Sequence, residues 1–64
     1  MSAVLILHTP VGDIADAKYP IEDALLQGCV GFWRHASTHT LLLAQLMFDD
    51  RVLTTYKLQR HSLG

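Results

Sequence analysis

Residues 28–39 read GCVGFWRHASTH and gather most of the side chains able to do chemistry: the single cysteine, the single tryptophan, two of four histidines, an arginine and two hydroxyls. A thiol beside an imidazole is the elementary requirement for thiolate catalysis, and Cys29 and His35 supply both groups. Free cysteine is also among the most buried residue types, so a small buried side chain near a helix end accounts for Cys29 without any reactivity. His35 and His39 stand four apart, the spacing that puts two imidazoles on one helix face in zinc sites. No glutamate follows the first of them, as a zinc protease requires. In an extended segment the two would lie about 13 Å apart. Cys29, Asp49, Asp50 or His61 complete a ligand set only if the fold gathers them. No metal or other cofactor is expected.

The segment QGCVGFW is similar to the nucleophile segment of papain-like proteases, where Gln-Gly precedes a cysteine followed by tryptophan. Here Phe32 directly precedes Trp33, so the nucleophile's position is empty, and the chain is too short for the two-lobed cleft of those enzymes. His35, Ser37 and an acid lack the strained elbow that surrounds a nucleophilic serine. GCVG has neither the glycine spacing nor the Lys-Ser/Thr of a phosphate loop. Asp49-Asp50 suits a turn, and Glu22-Asp23 suits a helix start.

Aromatics beside cations remain. Trp33-Arg34, Tyr56-Lys57 and Arg60-His61 offer rings for stacking and charges for phosphate or carboxylate. The same residue types are enriched where proteins meet, and they are also what any small core uses. Phe32, Trp33, Arg34, Tyr56, Lys57 and Arg60 are the candidate binding residues.

These side chains need elements to hold them. Residues 3–8, opening AVLIL, read as a strand, buried on both faces because its apolar residues do not alternate; Pro10 and Gly12 end it. DIADAKY reads as a short turn capped by Asp13. YPIEDALLQG reads as a helix, with Pro20 first, Glu22 and Asp23 in its first turn and Gly28 at its C-terminal cap. Val30, Phe32 and Trp33 favour strands, so CVGFWRHA reads as a strand. Residues 38–48 and RVLTTYKLQ read as a hairpin turning at Asp49-Asp50, although Leu, Ala, Gln and Met also permit a helix over 38–48. The expected order is β-α-β-β-β: an α+β fold, mainly antiparallel, with one helix across one face.

Sixty-four residues make a single small α+β domain, 1–64, that buries only roughly 60% of its unfolded surface. One cysteine forms no internal disulfide, yet half the residues are hydrophobic and the mean hydropathy is +0.23. Such a chain is expected to hide its surplus in a subunit interface, most simply a homodimer. No apolar run approaches the roughly 20 residues that span a bilayer. MSAVLIL lacks a basic leader, and a lone thiol fits a reducing, cytoplasmic setting. Net charge is −1, with −3 in residues 1–32 and +2 in 33–64, too mild to imply nucleic acid alone.

The expectation is a non-enzymatic protein-binding module, of inhibitor or adaptor type, acting as a homo-oligomer. Its size matches stand-alone proteins of phage and other mobile elements. Second comes a dimeric nucleic-acid-binding regulator using Arg34, Arg51, Lys57 and Arg60; third, a compact metal-binding or thiol-dependent enzyme.

Overall fold

The computed structural model describes residues 1–38 and 40–58. Four strands, β1 (Ser2–Thr9), β2 (Gly12–Pro20), β3 (Leu43–Phe48) and β4 (Arg51–Tyr56), form one sheet, and one helix, α1 (Ala24–Ala36), crosses it. The sheet runs β2-β1-β3-β4 with every neighbouring pair antiparallel. It consists of two hairpins joined through the helix, with β1 and β3 side by side in the middle. The α+β class, with four strands and one helix over them, is as expected. The order is instead β-β-α-β-β.

Two segments account for that change. Residues 12–20 form β2 rather than a turn, pairing with β1 from Thr9↔Gly12 to Ser2↔Pro20. The turn at Pro10 and Val11 is tied by Thr9, whose hydroxyl donates to Gly12 O and accepts from Val11 N. Pro20 is tolerated because, among the described residues, no strand on the outer side of β2 needs its N–H. Residues 29–36 are helical, not extended, and Gly28 lies inside the helix instead of capping it. Glu22 and Asp23 stand just ahead of α1, whose first turn holds no acid.

Packing explains why a glycine-containing, aromatic segment coils. Ala24, Gly28, Gly31 and Phe32 share one face of α1 and are buried against the sheet. A methyl on Gly28 would lie 2.8 Å from the Tyr56 hydroxyl and 3.3 Å from Leu46 Cδ1. On Gly31 it would run into the Tyr19 hydroxyl, with Leu5 Cδ2 at 3.4 Å. The missing side chains let the helix backbone settle close to the sheet, which outweighs the intrinsic preferences of Phe and Trp. Below α1 the core consists of Ala3, Leu5 and Leu7 from β1, Ala44 and Leu46 from β3, and Leu41 from the connection.

β1 therefore alternates once it is paired. Ala3, Leu5 and Leu7 are fully buried, whereas Val4, Ile6 and His8 are only half-buried. The expectation of burial on both faces fails because a single helix covers a single face. In the 38–48 region the strand reading holds from Leu43, and the helix alternative does not. Asp49 and Asp50 both take positive φ, 51° and 59°, as a two-residue hairpin turn requires. No helix among the described residues is long and apolar enough to cross a membrane.

Candidate functional site

Phe32, Trp33, Thr55, Tyr56 and Lys57 line one open cleft of about 340 Å³ between α1 and the end of β4. Phe32 is its floor. It is 1% exposed, stacks on Tyr56 with ring centroids 5.7 Å apart, and meets Trp33 edge-on at the same distance. Trp33 is one wall and remains 56% exposed. Tyr56 is pinned across the cleft, its hydroxyl donating to Leu25 O at 2.9 Å. Burial, then the nearby Cys29 thiol, pushes the Tyr56 phenol above its ordinary value, so the ring stays neutral. Lys57 is exposed and supplies positive charge at the rim.

Four of the six expected binding residues thus meet in one place: Phe32, Trp33, Tyr56 and Lys57. Phe32 serves as core support rather than as a contact surface. Arg34 lies elsewhere, beside a separate hollow of about 220 Å³ with Tyr19, Leu26, Gln27, Val30 and Gly31. Arg60 is outside the described residues, as are His39 and His61. Arg51 and Lys57 flank the two ends of β4, about 20 Å apart at strand rise. Arg51 and Lys57 are therefore not adjacent along β4.

A second surface lies on the far side of α1 from the sheet. The outward face of α1 is apolar: Leu26, Val30 and Trp33, at i, i+4 and i+7, are 70%, 51% and 56% exposed, with Leu25 at 60% beside them. Apart from Phe32, the helix points small residues at the sheet and leaves large ones outward. That spacing is present in the sequence, but it forms a stripe only when 29–36 is helical; an extended 29–36 interrupts it at Cys29.

His8 and His35 each have an acidic neighbour. On the open sheet face His8 bridges three strands, with Nδ1 2.8 Å from Asp13 Oδ1 and Nε2 3.0 Å from Gln45 Oε1. An acid and an imidazole in line resemble a proton relay, but the far end is an amide with no nucleophilic character. On the helix side His35 Nε2 lies 3.1 Å from Asp16 Oδ1, and the Tyr19 hydroxyl donates to Asp16 Oδ2 at 3.0 Å. Burial raises the Asp16 carboxyl's pKa, but the bonds from Tyr19 and the Ala17 backbone and the presence of His35 outweigh it and hold the group below its ordinary value. Burial and then Asp16 push the Tyr19 phenol up. Cys29 and His35, six positions apart on one helix, project about 120° apart around its axis. Among the described residues, no three His, Cys, Asp or Glu side chains are grouped so as to hold a metal ion.

Comparison of the chain with protein-family models, curated proteins and solved structures finds no match.

Proposed function

We propose that this chain is a non-catalytic protein-binding module that works as a homo-oligomer and takes an extended segment of its partner along the cleft between α1 and β4. The observation that carries the reading is the half-exposed Trp33, which lines one cleft with Tyr56 beside the outer edge of β4. Among the described residues no strand pairs with the outer side of β4. An edge strand offers main-chain hydrogen bonds to an incoming strand, while an adjacent pocket selects one side chain. The other edge suits this less, since β2 ends in Pro20, which has no N–H to donate to an added strand. An apolar side chain fits between Trp33 and Tyr56, and an acidic neighbour suits Lys57. The lone thiol fits a reducing, cytoplasmic setting.

The test is capture from native lysate on the intact chain, followed by titration of the purified partner against the fluorescence of Trp33, the only tryptophan. Trp33→Ala, checked by circular dichroism for retained fold, is expected to lose the partner, and Lys57→Glu to weaken it about tenfold. Equal capture by a folded Trp33→Ala variant sinks the cleft as the site. Capture that collapses steeply with salt and is abolished by nuclease supports the nucleic-acid reading instead.

A further inference from the structure

From the outward face of α1 we infer that a second copy of this chain docks there, helix against helix and antiparallel about a twofold axis between Cys29 and Val30. The inference rests on the oligomeric part of the reading above and identifies the surface that makes the oligomer.

A stripe of large apolar side chains on a helix is normally covered by another surface. Here the sheet covers only the Ala24–Gly28–Gly31–Phe32 face, and Leu26, Val30 and Trp33 face away from it. A twofold axis at the helix midpoint sets Leu26 opposite Trp33 of the other copy, twice, with Val30 beside the axis. The charges flanking this stripe complement themselves under the same operation. Asp23 and Arg34 are eleven residues apart, about three full turns, so they sit on the same flank. Antiparallel pairing brings like flanks together. Asp23 then lies about 3 Å along the axis from the level of the other copy's Arg34, within reach of an arginine side chain.

Within one chain the two are about 16 Å apart along the axis and do not meet. Asp23 makes no side-chain capping bond to its own helix, although it occupies the N-cap position where aspartate ordinarily does so. An interface centred on one helix of about 20 Å is small, so dissociation at low concentration is built in.

Sedimentation equilibrium of the full chain over a wide concentration range reads the association directly. Asp23→Arg and Arg34→Asp are each expected to weaken the dimer about tenfold, and Leu26→Glu to abolish it. Trp33 is common to the helix face and the cleft, so the substitutions are confined to residues outside the cleft lining. The double exchange, Asp23→Arg with Arg34→Asp, is expected to restore affinity to within about threefold of the original. Helix-dipole effects alone predict the opposite, because both reversed charges then oppose the dipole and the double variant is the worst of the three. If the double variant is weakest, the inference is overturned.

Cys29 gives a check that needs no variant. Paired axes about 8–10 Å apart place the two thiols on one flank near the twofold, where a short bismaleimide should join them. A dimer that resists this reagent and ignores all three substitutions uses another face, which overturns the inference and leaves the oligomeric reading standing. A chain that stays monomeric throughout overturns both, while capture by the Trp33 cleft is still judged by its own test.

Discussion

Asp16 shows how a polar cluster on a small fold stores stability. Its carboxylate accepts a hydrogen bond from Tyr19 of β2 and faces His35 of α1, so a single charge ties strand to helix. Its pKa lies below the ordinary 3.8, so the folded state favours the ionised form. That contribution is fully present above the ordinary value and is lost as pH falls through the lower, folded value. Asp16→Asn keeps the shape and removes the charge. Denaturant unfolding is expected to show the variant less stable by about 1 kcal/mol near neutral pH, the scale of one hydrogen bond to a charged group after partial loss. The difference should shrink steadily below the ordinary carboxylate range. A constant difference down to strong acid would show that Asp16 contributes by shape alone.

At the scale of elements, the contact between α1 and the sheet depends on two missing side chains. Replacing glycine by alanine inside a helix ordinarily stabilises it by about 1 kcal/mol. At Gly31 the added methyl meets the Tyr19 hydroxyl, which is itself bonded to Asp16, with Asp16 Oδ2 only 3.4 Å away. Overpacking of this kind costs about 1–3 kcal/mol, so the loss outweighs the gain. Gly31→Ala is expected to lower the unfolding midpoint despite its better helix propensity. A raised midpoint would mean that Tyr19 swings aside at little cost.

For the whole molecule, one helix cannot cover two faces of a four-stranded sheet. Val4, Ile6, Leu43 and Met47 are half-buried on the face opposite α1, and Leu26, Val30 and Trp33 are exposed on the helix's outer side. A chain that associates through the second surface is more stable when concentrated, because association draws the folded state out of the equilibrium. Tenfold dilution is therefore expected to lower the thermal midpoint by a few degrees, and Leu26→Glu to remove that dependence. The same midpoint at every concentration would speak for a fold that stands alone.

Much of this fold follows from local pattern. The short AVLIL run, the alternation on either side of Asp49-Asp50 and the abundance of apolar residues suffice for β1, the β3–β4 hairpin and the α+β class. Pairing chemistry also marks Trp33, Tyr56 and Lys57 as neighbours in kind, though not in space. The state of 12–20 and 29–36 was decided only by tertiary structure. Aspartates and alanines make β2 a weak strand by composition, and it holds because β1 offers a free edge to pair with. Gly28, Gly31, Phe32 and Trp33 favour turn or strand when read alone. They coil because a sheet face of Leu5, Leu46, Tyr19 and Tyr56 accepts a helix backbone only where side chains are absent. That same choice gathers Phe32, Trp33, Tyr56 and Lys57 around one cleft and turns Leu26 and Val30 outward, since close packing rewards whichever arrangement lets two surfaces touch.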